Sequence, residues 1–322
     1  MANRTARHVL ISSVKDEGPF ILEWVAHHLV LGFDRICIAS NDCRDGSDRL
    51  LNALAAAGHI DHLPNTVPKG EAPQHAGYTA MREIFALDDT EWLMVLDADE
   101  FLNVHVGAGR VGDLTERAGP DCDIISLHAM CFSDRPEVNW APGRVCPLFP
   151  WRLSLSHKAN KAMKSLTRDP SRFKHIHNHS MAGFNDRPDT LRVMNGDGSR
   201  YNLVLGLTIV VQLRNAPVQE SSHKLAHYNH YAVKTWDSFN LRRERGRGAV
   251  PVTDAETARH TEAYFRDRIA PDAQDPSIAR YDTQVAEQMA RMLQDPMVQR
   301  CQSDCDTAYG QLAARYRRDE RF

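Results

Sequence analysis

Short apolar runs alternate with amphipathic stretches over the first hundred residues, and this alternation constrains the fold more than any other feature of the sequence. Apolar runs, several of them with β-branched residues, occupy 8–14, 35–39, 59–63 and 92–96. The segments between them place apolar side chains at helical spacing. Strands that alternate with helices usually form a parallel sheet covered on both faces. The sequence therefore predicts an α/β fold with a Rossmann-like, mostly parallel sheet.

The first predicted helix has start and stop signals at both ends. Pro19 stands at the first helical position, where its missing N–H costs nothing. Gly32 follows the last turn, at the position where a left-handed cap favours glycine. Between them the apolar and aromatic side chains form one stripe, made of Phe20, Ile21, Trp24, Val25, His28 and Leu29. This stripe predicts a helix packed against the sheet.

The second half of the sequence is less regular. Residues 124–127 predict another strand, and the proline-rich segment 134–150 predicts a long loop. After residue 255 the apolar positions follow a helical period. Cys301 and Cys305 fall on the apolar face of the last predicted helix. We therefore expect both in the core rather than in a metal or redox site.

Composition excludes several classes of protein. The formal net charge of -3 and the pI of about 6.6 are not those of a general nucleic-acid binder, which needs a strong basic excess. The seven cysteines are odd in number and include no C-x-x-C pair, so neither a zinc ribbon nor a disulfide framework is predicted. A reducing, cytoplasmic environment fits this cysteine usage best.

The sequence predicts neither a signal peptide nor a membrane span. The longest apolar run, 203–211, is far shorter than the ~20 residues that a spanning helix needs, and residues 1–8 lack the apolar core of a signal peptide. The basic tail at 315–318 usually indicates a solvated helix end. A basic helix can also rest on an anionic membrane, so peripheral membrane contact stays open.

Three carboxylates directly follow the most apolar of the predicted strands. They belong to Asp97, Asp99 and Glu100. Carboxylates at the end of a buried strand repel one another and are costly to desolvate unless a cation lies among them. Oxygen ligands suit Mg²⁺ or Mn²⁺, which typically bridge phosphate oxygens. The alternative is an acidic cluster that caps the next helix.

The chain resembles the glycosyltransferase family 2-like group, which has the GT-A nucleotide-sugar fold. Its "W…DxDEF" segment at 92–102 is the most specific part of the resemblance. Three further segments are similar to that group: Lys15-Asp16-Glu17 with Glu23-Trp24 and His27-His28, the acidic loop 41–47, and His230-Tyr231 with Lys234 and Phe239. The resemblance covers about residues 8–247. It implies a GT-A domain at 1–250, with a donor half at about 1–105 and an acceptor half at about 106–250, and a helical extension at 251–322.

The resemblance also implies roles for individual residues. Asp42 and Asp45 would hold the base and ribose of the nucleotide, although an Asx-rich turn is the alternative for that loop. Asp97 would contact the ribose or a metal-bound water, and Asp99 would bind the metal. His230 would be a late metal ligand, which favours Mn²⁺ somewhat over Mg²⁺.

Two histidine triplets are alternative metal ligands. His223, His227 and His230 would share a face in a helix, and His175, His177 and His179 would share one in a strand. Either set could form a three-imidazole zinc site. Most histidines of this kind are surface or hydrogen-bonded core residues, so both interpretations stay open.

Two groups of basic residues could neutralise a diphosphate. They are Lys158, Lys161 and Lys164, and then Lys234, Arg242, Arg243, Arg245 and Arg247. We predict that Lys164, Lys234 and Arg245, together with Glu17, belong to the nucleotide-sugar site. The glycines beside Arg245 allow that segment to act as a lid. A solvated basic face is the alternative.

The function implied is metal-dependent transfer of a hexose, with inversion, from a nucleotide-sugar, best a UDP-sugar, to a hydroxyl of a glycan or glycolipid. Inversion needs a carboxylate to take the acceptor's proton. Asp134 and Glu137 are the predicted catalytic pair, with Asp186 and Asp189 as further candidates. The rival functions are a metal-dependent nucleotidyltransferase or phosphohydrolase, and a non-catalytic nucleotide- or sugar-binding protein.

Overall fold

The strands and helices predicted for the first hundred residues are present in a computed structural model of the chain. The structure describes residues 6–67, 69–133, 139–185, 188–204, 206–215, 223–246, 248–250 and 260–319. Its strands are β1 (His8–Val14), β2 (Arg35–Ser40), β3 (Asp61–Pro64), β4 (Trp92–Val95), β5 (Glu100–Val104), β6 (Ile124–Ser133), β7 (Trp151–Arg152), β8 (Met163–Arg168), β9 (His175–Ile176), β10 (Met181–Ala182), β11 (Arg192–Asn195), β12 (Arg200–Asn202), β13 (Ala226–His230) and β14 (Ala273–Gln274).

Helices connect these strands and then form the end of the described chain. They are α1 (Gly18–Val30), α2 (Ser47–Ala56), α3 (Pro73–Ile84), α4 (Val111–Ala118), α5 (Val145–Leu148), α6 (Ile209–Asn215), α7 (Trp236–Arg245), α8 (Glu262–Arg268), α9 (Asp282–Met292) and α10 (Pro296–Ala313). The strands and helices confirm the predicted α/β fold.

One sheet of twelve strands forms the centre of the described structure, with the order β12-β11-β6-β8-β4-β1-β2-β3 along its main path. The neighbours β4, β1, β2 and β3 are parallel, as the alternation of strands and helices predicts. β8 runs antiparallel between β4 and β6, so the sheet is mixed beyond its parallel block. β13 lies between β5 and β6, which brings its end to the segment that follows β4.

Helix α1 is buried along most of its length. Pro19 lies in its first turn, and Gly32 after it has φ +90°, so both predicted end signals are confirmed. A Cβ added at Gly18 would lie 2.7 Å from the Cβ of Cys305, so only glycine fits where α10 crosses the start of α1. The indole N–H of Trp24 donates to the carbonyl of Glu100 at 2.8 Å. Helix α1 therefore contacts the acidic segment after β4 and helps to fix its position.

The C-terminal helices share one hydrophobic core with the sheet. Val285 and Met292 of α9 and Val298, Cys301 and Cys305 of α10 are all buried in the cluster that also contains α1. The two cysteines are in the core, as predicted, and all seven cysteines are free. The domain boundary at 250 stays a prediction.

Two predicted segments differ in extent from the structure. The strand predicted at 124–127 continues as β6 to Ser133, because its later residues pair with β13 and β7. Apolar spacing between the third and fourth predicted strands indicates a helix at about 74–87, but α3 ends earlier, at Ile84, because Ala86 takes a left-handed conformation with φ +50° before a 3₁₀ turn. The periodicity of neighbouring residues does not show which distant strands will pair. It also does not show where a single left-handed residue ends a helix.

None of the helices in the described part of the chain is both long enough and apolar enough to cross a membrane. The cytoplasmic location stays a prediction.

Candidate active site

A cavity of about 630 Å³ opens at the carboxyl ends of the central strands. One side, which we call the strand-end wall, is formed by residues after β1, β2 and β4 and at the end of β13: Ser13, Val14, Lys15, Asn41, Asp97, Ala98, Asp99, Glu100 and His230. In open α/β sheets ligands bind at this edge, and the volume suits a small organic ligand. The predicted acidic segment therefore lies in the expected place.

Asp97 is held by two neighbours and still faces the cavity. Its Oδ1 accepts a hydrogen bond from Gln74 Nε2 at 2.8 Å, and its Oδ2 lies 3.2 Å from Lys164 Nζ. The Asp97 side chain is 29% exposed, whereas that of Lys164 is completely buried. A ligand can therefore reach Asp97, but it cannot reach Lys164 directly.

Lys164 is the counter-charge beneath two carboxylates. Its Nζ also lies 2.9 Å from Glu100 Oε2. Burial alone would lower the pKa of Lys164, but Asp97 and Glu100 outweigh it and raise that pKa. Burial raises the pKa of Glu100 to about 7 in spite of Lys164. Lys164 therefore stays charged beneath the two carboxylates.

Asp99 is the more enclosed of the two aspartates, at 3% exposure. Arg242 Nη1 donates to its Oδ2 at 2.5 Å, and His230 Nε2 lies 3.7 Å from the same oxygen. Burial would raise the pKa of Asp99, but Arg242 and His230 hold it well below its usual range. Burial would likewise lower the pKa of His230, and Asp99 raises it well above the usual value. Asp99, Arg242 and His230 thus form a charged cluster in the lining of the cavity.

Helix α7 supplies two guanidinium groups to the cavity. It begins where Thr235 Oγ1 accepts from the N–H of Ser238, which caps the helix and fixes its first turn. From its later turns, Arg242 reaches Asp99 and Arg245 reaches Glu17, at 2.5 Å from Oε1. Arg245 also donates to the carbonyl of Lys15. Glu17 and Arg245 were both predicted to belong to the nucleotide-sugar site, and they line the cavity as an ion pair.

A second group of polar residues, which we call the basic wall, also lines the cavity. It consists of Lys161, His177, Asn178, His179 and Arg214. Lys161 and Arg214 form no ion pair with any described residue. The Nδ1–H of His179 donates to the carbonyl of Met163 at 2.9 Å. Burial, then the charges of Lys164 and Arg214, lower the pKa of His179 to about 3, so this imidazole is neutral at pH 7.

The metal prediction can be tested against the donor atoms present. Asp99 Oδ2 and His230 Nε2 are 3.7 Å apart, which is close enough for both to bind one ion. Among the described residues, no three His, Cys, Asp or Glu side chains are placed to share a metal. Magnesium is usually held by one or two carboxylates, with substrate phosphates completing its shell. Asp99 and His230 would supply one carboxylate and one imidazole to a phosphate-assisted ion, with Arg242 already on one oxygen of Asp99, whereas both oxygens of Asp97 have a partner, in Gln74 and in Lys164.

Four predicted nucleotide-sugar residues lie outside the cavity lining: Lys164, which is buried beneath Asp97, and the three described next. Asp45 is fully buried, and its oxygens accept from Gly18 N and from the N–H and hydroxyl of Ser47. Its position does not support the assignment to the nucleotide, because both oxygens already join the starts of α1 and α2. Asp42 is exposed and accepts from Asn41 Nδ2. Lys234 is buried, with Nζ 4.3 Å from the ring centroid of Phe20.

The structure describes only one of the four candidates for the catalytic carboxylate. Asp134, Glu137 and Asp186 lie outside the described residues. Asp189 is exposed and is not among the residues that line the cavity. The base therefore stays a prediction from the sequence.

The histidine triplets do not form three-imidazole metal sites in the described structure. His227 and His230 lie in strand β13, not in a helix, and the Nε2–H of His223 donates to the carbonyl of Ala129. His175 is exposed, whereas His177 and His179 line the cavity. Of this second triplet only His175 lies in a strand, β9, whereas His177 and His179 lie in the loop that follows it.

Several lining residues were not among the predicted site residues. Gln74, at the start of α3, and Arg214, at the end of α6, come from parts of the chain that carry no motif. His260 and Tyr264 add lining from the segment at and before α8. A single glutamine or arginine has no local pattern, so only the three-dimensional arrangement identifies them.

Comparison with known proteins gives one distant relative by sequence. No protein-family profile matches this chain. A glycosyltransferase family 92 protein of Ricinus communis is 24% identical over 128 residues, which is 40% of this chain and 23% of the relative. The match thus spans less than a quarter of the relative's length.

The chain also has distant structural likenesses. Residues 1–349 of S. aureus TarS give a TM-score of 0.33 at 8% identity, covering 98% of this chain and 92% of that chain. UDP-glucose pyrophosphorylase complexed with UDP-glucose gives 0.26 at 13% identity, covering 70% and 90%. Mannose-1-phosphate geranyltransferase from Thermus thermophilus gives 0.25 at 15% identity, covering 51% and 50%. TM-scores this low carry no argument about activity.

Proposed function

We propose that this chain is a glycosyltransferase that moves a hexose from a nucleotide-sugar, best a UDP-sugar, to a hydroxyl of a glycan or glycolipid. One observation carries the proposal. Asp97 and Asp99 face a ligand-sized cavity at the carboxyl end of a parallel strand, and cationic side chains surround them. The distant relative described as a glycosyltransferase supports the same activity.

The cations of the cavity would stabilise the leaving group. Glycosyl transfer has an oxocarbenium-like transition state, and negative charge grows on the departing diphosphate. Lys15, Arg242 and Arg245 line the same cavity, and the two arginines are held in place before any ligand arrives. Charges that need no rearrangement at the moment of reaction are the most effective electrostatic stabilisers. Asp97, with one accessible side, would accept hydrogen bonds from ribose hydroxyls.

A divalent ion would be held by Asp99 and His230. When bound, Mn²⁺ or Mg²⁺ would supply positive charge to the diphosphate. His230 would have to release its proton to become a ligand, because only the neutral imidazole has a free lone pair. Arg242 would keep Asp99 ionised and oriented toward the cavity.

The proposed transfer proceeds with inversion by direct attack of the acceptor hydroxyl. A carboxylate must take the proton from that hydroxyl as the new bond forms. Asp134 and Glu137 remain the proposed candidates, since β6 ends at Ser133 beside the strand that leads to His230.

A product assay tests the proposal and its rivals together. We expect the protein to release UDP from a UDP-hexose, and Asp99→Asn to reduce this release by about a hundredfold or more. Asp121→Asn serves as the matched control: Asp121 is 75% exposed, pairs with Arg192 and lies outside the cavity lining, so this variant should release UDP like the wild type. Pyrophosphate release from UTP with a sugar phosphate would instead identify a nucleotidyltransferase. Nucleotide binding without any turnover would identify a binding protein.

A further inference from the structure

Two cationic side chains of the basic wall, those of Lys161 and Arg214, have no role in the proposed nucleotide-sugar site. Lys161 lies in the 3₁₀ turn Lys158–Lys161, and Arg214 lies near the end of α6. Lys164, Arg242 and Arg245 each have a carboxylate partner, whereas Lys161 and Arg214 have none among the described residues. Two cations that line one cavity without acidic partners among the described residues are available to an anionic ligand.

The loop between β9 and β10 adds a second, independent observation. His177 Nδ1 and Asn178 Oδ1 are buried atoms that have no hydrogen-bond partner in the described structure. Buried polar atoms without partners are rare in folded proteins, and a missing ligand or ordered water is a usual reason. The ring centroids of His177 and His179 lie 6.0 Å apart. The loop therefore contains polar atoms whose hydrogen bonds are not satisfied by any protein group in the described structure.

The imidazoles would contribute hydrogen bonds rather than charge. The Nδ1–H of His179 is used by the carbonyl of Met163, so its Nε2 is left as an acceptor. A neutral imidazole acceptor suits a sugar hydroxyl, and the adjacent cations suit a carboxylate or a phosphate. The two kinds of partner occur together in an acidic saccharide.

We propose that the basic wall is a subsite for a negatively charged saccharide group, a carboxylate or a phosphate, bound by Lys161 and Arg214. The saccharide part of this inference rests on the proposed function, but the anion site itself does not. The group belongs either to the acceptor or to the transferred sugar. The diphosphate of the nucleotide is assigned instead to Lys15, Arg242 and Arg245.

Calorimetric titration of inorganic phosphate into protein saturated with UDP tests the subsite. We expect phosphate to bind to the wild type, and the double variant Lys161→Met with Arg214→Met to bind it at least about tenfold more weakly. Raising the salt concentration should weaken this binding, as for any partly exposed charge pair. Lys158→Met is the matched control, because Lys158 lies on the same turn, is 73% exposed and pairs with Asp267.

Complete donors distinguish the two sources of the charge. If phosphate still binds when UDP-glucose replaces UDP, the charge belongs to the acceptor. If UDP-glucose excludes phosphate and UDP-glucuronate binds more tightly than UDP-glucose, the charge belongs to the transferred sugar. Both outcomes support the subsite.

Three outcomes overturn the subsite. They are no phosphate binding by the folded wild type, phosphate binding that the double variant retains, and an equal loss of UDP affinity in that variant. The last would mean that these cations bind the diphosphate. UDP binding is measured first on the same samples, so a failure of the proposed function, with no UDP bound, is distinct from a failure of the subsite.

Discussion

The strand-end wall and the basic wall differ in how their charges are arranged. At the strand-end wall, Lys164 pairs with Asp97 and Glu100, and Arg242 of α7 pairs with Asp99. At the basic wall, Lys161 and Arg214 are without acidic partners in the described chain. Paired charges are held in position before a ligand arrives, and in the proposed function Arg242 and Asp99 act in that preorganised state. Unpaired charges have no protein partner to give up, so they are the more readily available to an additional anionic group.

Removing the buried counter-charge should produce the largest effect on stability. Lys164→Met leaves Asp97 and Glu100 facing each other without their cation, and breaking a buried pair in this way costs about 3–5 kcal/mol. The free energy of unfolding, measured by urea denaturation, checks this expectation. Adding Glu100→Gln should recover part of the loss.

The control for this variant is an exposed pair. Arg266→Met removes the pair of Arg266 with Glu262, whose side chains are 67% and 48% exposed, and should cost less than about 0.5 kcal/mol. A loss of similar size in Lys164→Met and Arg266→Met would mean that the buried lysine does not hold the strand-end wall together.

A buried acid whose hydrogen-bond donors are backbone N–H groups sharpens the comparison through its pH dependence. Glu23 accepts hydrogen bonds from the backbone N–H groups of Val145 and Cys146, and burial raises its pKa to about 7. The folded state therefore holds its proton more tightly than the unfolded state, whose pKa is 4.5. Stability from this group is full below about pH 4.5 and is lost as pH rises through about 7, by about 3 kcal/mol in total.

Glu23→Gln removes that titration. We expect the difference in unfolding free energy between wild type and variant to shift in the variant's favour from pH 5 to pH 8, as measured by urea denaturation at each pH. A difference that stays constant with pH would show that Glu23 titrates with an ordinary pKa.

A smaller effect is expected where the C-terminal segment meets α7. Glu244 accepts from Arg44 Nη1 at 2.6 Å, from Arg315 Nη2 at 3.1 Å and from Tyr316 Oη at 2.5 Å. Glu244→Gln should cost about 1 kcal/mol of stability. Because α7 carries Arg242 and Arg245, we also expect UDP affinity to fall a few-fold, measured by calorimetry.

Glu262→Gln is the matched control for this substitution, since Glu262 has a single exposed partner away from the cavity. If Glu244→Gln changes stability but leaves UDP affinity at the wild-type value, the contact stabilises the C-terminal segment without positioning α7.

Local patterns predicted the parts of the fold that depend on neighbours in sequence. The strands at 8–14 and 92–96 and the helix that starts at Pro19 follow from apolar periodicity and end signals. The location of Asp97 and Asp99 follows from the strand before them. The antiparallel insertion of β8 was not predictable, because a strand's direction depends on distant connections.

The site residues were harder to predict than the fold. Asp45 sits in a segment similar to the family's acidic loop, yet its oxygens bind Gly18 and Ser47, which only the packing of α1 on α2 reveals. Lys164 was assigned to the nucleotide, but burial makes it a support for Asp97. Arg214 joins the cavity from a helix without any motif. Polar residues at strand ends are visible in sequence, whereas the burial and the partners of an individual charged side chain are not.

The most direct test of the nucleotide-sugar site is a calorimetric titration of UDP, in the presence of Mn²⁺, into the wild type and into Asp99→Asn. We expect the wild type to bind UDP and Asp99→Asn to bind it at least about tenfold more weakly, because the variant loses the carboxylate proposed to hold the Mn²⁺ that would supply positive charge to the diphosphate. Asp121→Asn, at an exposed carboxylate outside the cavity lining, should bind like the wild type. A folded wild-type protein that gives no heat with UDP, or an Asp99→Asn variant with unchanged affinity, would contradict the assignment of this cavity to a nucleotide-sugar.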